Sequence, residues 1–252
     1  MIIEFIGLPG SGKSTLLETT KNTWSEVGLQ AMNVPEAGVV CLKRMFLGRL
    51  ICSTMPVLQQ QWALYGIFRR FIQLYRIKFI LKNRKLAGRV LMLLLQRPIS
   101  WPDKRSVLRW FFRDVSYYEF FQTYLKDDEV LLLDEGLVHR ATSLYALPFV
   151  QPDPAQLRQY IEALPPKGLV IWVQTSLDVS IERVISRGIA KRYWGKELRP
   201  FMQNSLQVIE MAIQNIKKRD WQVISVNNDN SPEESAAQLR LNLTLLREKL
   251  SL

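Results

Sequence analysis

Five short runs rich in apolar residues recur along the chain at wide intervals: Ile2 to Ile6, Gln30 to Val34, Glu129 to Leu133, Leu169 to Gln174 and Trp221 to Val226. Their length and their turn-forming flanks predict buried strands. Between them the apolar spacing changes to that of helices. Leu16, Leu17, Thr20, Trp24 and Val27 repeat every three to four positions until Gly28 supplies a stop. Leu239, Leu243 and Leu246 do the same after Ser231-Pro232-Glu233-Glu234, a cap followed by a first-turn proline and acids. Strands alternating with helices predict an α/β fold of three layers with a parallel five-stranded sheet. In such a sheet the C-terminal strand ends share one edge, so Gly7, Glu36 and Asp134 are expected to converge there.

The 252 residues, 48% of them hydrophobic, suffice for one domain over 1–252 with a helical insertion at about 43–126. No linker or internal repeat divides it. A functional loop beginning at residue 7 leaves no room for a signal peptide, and a cytoplasmic location is expected. The longest unbroken apolar stretch, Val90 to Leu95, falls far short of the roughly 18 residues of a spanning helix. Cys41 and Cys52 have no metal-ligand spacing and read as ordinary reduced thiols.

Charge alters this picture. Of the net +11, the segment from Lys43 to Arg113 carries sixteen Lys or Arg against one acid, Asp103. Phe68, Phe71, Ile72, Tyr75, Phe79 and Leu86 interleave there with Arg69, Arg70, Arg76, Lys78, Lys82 and Arg84, a texture of basic amphipathic helices. Solvated snorkelling side chains account for it, and so does a surface for an anionic partner.

Candidate chemistry starts immediately after the first strand. Gly7-Leu8-Pro9-Gly10-Ser11-Gly12-Lys13-Ser14, followed by Thr15, is a phosphate-binding loop between a strand and a helix. Its glycines let backbone N–H groups turn toward an anion, Lys13 supplies a point charge, and the Ser14 hydroxyl suits Mg²⁺. Asp134, after Val130 to Leu133, is placed to hold the metal with Ser14. The adjacent Glu135 is placed to polarise a water or assist the metal, and Glu36 to accept a proton from an acceptor hydroxyl. Arg183, Arg187, Lys191, Arg192, Lys196 and Arg199, broken by Gly188 and Gly195, suit a basic lid over about 183–199, with Arg183 and Arg187 sharing one helix face. His139 reads as a core or helix-surface histidine. Trp62, Tyr65, Trp101, Trp110, Tyr117 and Tyr118 read as packing residues, with a base-stacking partner among them as the alternative.

The order of phosphate-binding loop, Glu36, Asp134 and then Arg187-Gly188 with Arg192 and Glu197 resembles the thymidylate kinase and deoxynucleoside kinase branch of the P-loop kinases over most of the chain. The resemblance implies the P-loop NTPase fold. It makes Glu36 the acceptor contact or base, Arg187 and Arg192 the lid arginines, and Asn227-Asn228-Asp229 the flank of the adenine. This sequence departs from the branch in lacking a Glu-Pro-Gly-Gly stretch and in having Asp134-Glu135-Gly136 at the third strand.

The resulting expectation is transfer of the γ-phosphoryl of ATP, with Mg²⁺, to a small acceptor of anionic character. A nucleoside or nucleoside monophosphate leads, and a phosphorylated sugar or lipid-linked acceptor is the alternative. Lys13, Glu36, Asp134, Glu135, Arg187 and Arg192 are the candidate catalytic residues. Gly7, Pro9, Gly10, Ser11, Gly12, Lys13, Ser14, Thr15 and Asn228 are the nucleotide-binding set. An ATPase or regulatory module gripping nucleic acid or membrane through the basic segment is the opposing class. Nucleic acid is the less expected partner; membrane-surface contact and homodimerisation are both compatible with the sequence.

Overall fold

The computed structural model describes residues 1–26, 28–147, 150–166, 168–188, 198–229 and 231–250, the side chains of 58 and 246–250 excepted. Val27, Lys191, Arg192, Gly195, Lys196 and Glu197, and with them most of the expected lid, lie outside the described residues.

Strands β1 (Ile2–Ile6), β2 (Gln30–Met32), β3 (Glu129–Leu133), β4 (Leu169–Gln174) and β5 (Gln222–Asn227) form one parallel sheet in the order β2-β3-β1-β4-β5. Alternate residues of β1 serve opposite faces. Ile3 and Phe5 pack with Leu16, Leu17 and Trp24 of α1 (Lys13–Glu26) and with Leu239 and Leu243 of α12 (Pro232–Leu250). Ile6 faces the other layer, α7 (Trp101–Tyr124), α8 (Arg140–Tyr145), α9 (Pro154–Ala163) and α11 (Leu198–Ile216). The result is a three-layer P-loop NTPase architecture. A third cluster joins Met32, Leu131 and Leu133 to Phe68, Phe120 and Phe121, which binds α2 (Val34–Arg44) and α4 (Val57–Phe71) to α7 beside the sheet. Helices α3 (Phe46–Thr54), α5 (Gln73–Lys82) and α6 (Arg84–Gln96) complete the segment between β2 and β3, and α10 (Leu177–Ser186) follows β4.

The second strand is shorter than its apolar run suggests. β2 ends at Met32, and Asn33 caps α2. The Asn33 side chain accepts from the Glu36 N–H, and the Asn33 N–H donates to the Glu36 carboxylate, both at 3.1 Å. This reciprocal pair, with Pro35 in the first turn, outweighs the strand preference of Val34. Glu36 therefore sits in the first turn of a helix, not in a loop after a strand. At the other edge Trp221 precedes β5; its indole N–H donates to the Pro165 carbonyl at 3.0 Å.

Candidate active site

The loop from Gly7 to Ser14 leaves β1 and enters α1 with Gly10 and Gly12 in the left-handed region, at φ of 80° and 88°. Gly12 has a second constraint: a Cβ there would run into the side-chain amide of Asn228. That amide donates to the Ser11 carbonyl at 2.6 Å, while the Asn228 N–H donates to the Gln174 carbonyl at 2.8 Å and Arg183 donates to the Asn228 carbonyl at 3.1 Å. The Thr175 hydroxyl reaches the same Ser11 carbonyl at 3.3 Å. The loop is thus held from β4, β5 and α10. The Lys13 ammonium folds over it, donating to the Gly7 and Leu8 carbonyls at 3.0 Å each. The start of α1 turns the positive end of its helix dipole toward the same place, which makes this corner an anion site.

Parallel pairing of β3 with β1, Leu133 opposite Glu4, carries Asp134 up beside the loop. Its Oδ2 lies 3.4 Å from Ser14 Oγ. Two hard oxygen donors side by side at a phosphate site fit Mg²⁺, which keeps much of its shell as water and phosphate oxygen. Thr15 contributes its N–H to the Gly12 carbonyl at 3.1 Å, and its side chain is exposed.

Beyond Asp134 the chain builds a charged cluster that reaches into α7. Glu135 lies 3.4 Å from His139 Nε2 and 3.5 Å from Arg140 Nη2. Arg140 is held in turn by Asp114 of α7, at 2.8 Å from Nε and 2.5 Å from Nη2, and both residues are buried. Burial opposes ionisation of Glu135. The His139 hydrogen bond and the charges of Arg140 and Lys13 outweigh it and hold the carboxyl well below the usual carboxylate range. His139 is itself pushed below its ordinary value by burial, against the pull of Glu135. Underneath, the buried Glu4 of β1 accepts from the Val138 N–H at 2.8 Å and fixes the turn that presents Glu135.

A cavity of about 120 Å³ opens between this cluster and the loop. Gly7 and Pro9 form one wall and Glu135 and His139 another, while Trp110, Val107, Ile99 and Phe201 supply apolar surface. Asp103, Ser106, Thr142 and Ser143 place polar groups on its rim. Among the described residues, His139 Nδ1, on the cavity wall, and the Ser11 hydroxyl in the loop are buried with no hydrogen-bond partner. A larger cavity, about 650 Å³, lies at the opposite edge of the sheet beside Met1, Ile2, Leu169 and Gln222, away from the loop.

Two expected members stand apart. Glu36 pairs with Lys21 at 2.6 Å. Lys21 is eight residues along α1 from Lys13, about 12 Å at 1.5 Å per residue. Glu36 lines a separate groove of about 430 Å³ with Val39, Val40, Trp62 and Tyr65. Arg187 is the exposed C-cap of α10. Arg183 turns to Asn228 and Arg199 pairs with Asp178 of α10, so neither is aimed at the cavity. Conversely, Asp114, Arg140 and Glu4 escaped the sequence reading, while Trp110, one of the aromatic residues singled out there, lines the cavity. For His139 the four-residue offset from Glu135 was the visible signal.

No family model and no curated protein matches this chain. Among solved structures it is similar to deoxyadenosine kinase from M. mycoides with bound dATP, at 14% identity and a TM-score of 0.45, over 98% of this chain and 100% of that one. The same enzyme with bound dCTP aligns at 13% identity and 0.42, with the same coverage. Shikimate kinase from Acinetobacter baumannii in complex with shikimate aligns at 12% and 0.37, over 99% of this chain and 93% of that one. At such identity the likeness is one of chain outline.

Proposed function

We propose that this protein is a phosphotransferase that moves the γ-phosphoryl of ATP to a hydroxyl of a small acceptor, a nucleoside in the first instance. One observation carries the reading: the phosphate-binding loop and the ionised Glu135 are walls of the same cavity. The loop N–H groups and Lys13 would hold the phosphates, Lys13 exchanging two carbonyl partners for phosphate oxygens. Ser14 and Asp134 would hold Mg²⁺, which supplies charge neutralisation at the β- and γ-phosphates when bound. A carboxylate as acidic as Glu135 is a weak base. Its part is to accept the hydrogen bond of the acceptor hydroxyl, aim a lone pair at phosphorus, and take the proton late, as a loose transition state allows.

The cavity also speaks to the acceptor. Among the described residues its lining has no Lys or Arg and includes Asp103 and Glu135. That suits an uncharged, hydroxyl-bearing ring between apolar walls better than a phosphorylated acceptor. Glu36, committed to a helix cap and to Lys21, is the weaker base candidate.

The test is Mg²⁺-dependent ADP release measured with no acceptor, with nucleosides, and with nucleoside monophosphates. Nucleoside-dependent release with a phosphorylated product is expected. Glu135→Gln should lower kcat roughly 10²–10⁴-fold, and Glu36→Gln only a few-fold. Acceptor-independent turnover would make the protein an ATPase, and activity confined to monophosphates would move the acceptor site elsewhere.

A further inference from the structure

Between Phe46 and Gln96, helices α3 to α6 carry nine Lys or Arg and no Asp or Glu. The fold absorbs only part of this. Lys78 and Lys82 pair with Glu119 of α7 at 3.0 and 2.6 Å, and Arg89 donates to the Gln159 carbonyl. Arg69, Arg70, Arg84 and Lys85 are exposed, with no acidic partner among the described residues.

The same helices leave large aliphatic side chains uncovered in ordered rows. On α5, Leu74, Ile77 and Leu81 follow at offsets of three and four and are 61%, 61% and 57% exposed, so they form one face. Tyr75 and Phe79 on the opposite side are buried in the core. On α6, Leu91, Met92 and Leu95 are each at least half exposed, while Leu86, Val90, Leu93 and Leu94 are buried. Each helix is therefore apolar on two sides, and packing within the chain covers only one. Arg84 and Lys85 stand where α5 gives way to α6.

We propose that the outer faces of α5 and α6 seat this protein on the surface of an anionic lipid bilayer. Charge and apolarity together select the occupant. Aliphatic rows flanked by Lys and Arg suit the headgroup boundary, where side chains enter the acyl region and cations meet anionic headgroups. A second copy of the chain would bring two strongly positive segments face to face. A nucleic acid would satisfy the cations and leave the leucines without a purpose. Among the described residues no helix is long and apolar enough to cross a membrane, so the contact is one of lying on the surface.

The test is co-sedimentation of the full chain with phosphatidylcholine vesicles, with and without 30% phosphatidylserine, at 50 and 300 mM salt. Binding to the anionic vesicles alone, weakened by salt, is expected. Arg84→Gln with Lys85→Gln should lower affinity roughly 25-fold, at about a factor of five for each charge near the surface. Leu74→Ser, Ile77→Ser and Leu81→Ser together should lower it at least tenfold at unchanged salt dependence. All five positions are exposed, and an unaltered melting transition verifies the fold. Three outcomes would overturn the proposal: no vesicle binding at low salt, binding indifferent to the serine variant, or a dimer that the serine variant dissociates. Tight binding of duplex DNA or RNA in the absence of vesicle binding would reassign the surface to nucleic acid.

Discussion

The side-chain amide of Asn228, at the end of β5, donates to the Ser11 carbonyl at 2.6 Å, so the last strand of the sheet braces the loop that follows the first. The same amide fills the space a Cβ on Gly12 would need. Asn228→Ala should remove the brace and weaken ATP binding roughly tenfold, the value of one well-placed hydrogen bond at about 1.4 kcal/mol. Asn228→Asp should be worse, because it turns a carboxylate toward a carbonyl and the bound phosphates. Isothermal titration with ATP orders the three proteins, and equal affinities would show that the loop holds its shape unaided.

Glu4 makes stability depend on pH. It is fully buried on β1, and burial pushes its carboxyl up to about 7 against the pull of the Val138 and Leu137 N–H groups. Between about pH 4.5 and 7 the folded chain retains a proton that the unfolded chain has released. Stability therefore falls as pH rises through that window and the loss is complete above it, amounting to about 3 kcal/mol. Glu4→Gln should abolish this slope and be the more stable protein at pH 8. Urea unfolding of both proteins from pH 5 to 8 measures the difference, and parallel profiles would refute it.

Asp114 and Arg140 form a buried pair that no exposed group can replace. Removing the carboxylate leaves the guanidinium desolvated with Glu135 at 3.5 Å as its nearest acid. Asp114→Ala should cost about 3–5 kcal/mol of folding free energy. Asp114→Asn, which keeps an acceptor for the Arg140 N–H groups, should cost less. Chemical denaturation of the two variants tests both the size and the order.

The parts legible in the sequence are those whose chemistry requires a residue type at a fixed offset from a strand. Gly7 to Ser14 and Asp134 are of this kind, and so are the strand positions themselves, whose apolar runs match four of the five strands to within a residue. Glu36 lies in a helix although Val34 continues an apolar run, because the competing signal, Asn33 three residues before a glutamate, is local hydrogen bonding that hydrophobicity does not register. The link from Glu135 through Arg140 to Asp114 was not legible at all. It depends on which face α7 turns inward, and on a 24-residue helix buried along much of its length periodicity does not single out one acid. The excess of positive charge was plain from composition, but its division into cations paired with Glu119 and cations left exposed is a tertiary fact.

The metal assignment rests on Ser14 and Asp134 acting as one site, and that unity is testable. Oxygens 3.4 Å apart on α1 and after β3 can serve one small cation together. Asp134→Asn retains an oxygen but loses the charge, so the Mg²⁺ concentration for half-maximal ADP release should rise about tenfold or more. ATP affinity without metal should hold or improve, since a negative charge near the phosphates has been removed. Ser14→Ala should raise the metal requirement less, because a neutral hydroxyl contributes less to a hard cation than a carboxylate does. The double variant should fall short of the product of the two single effects, as expected for neighbours that share a ligand. A multiplicative result would place the two residues at separate tasks.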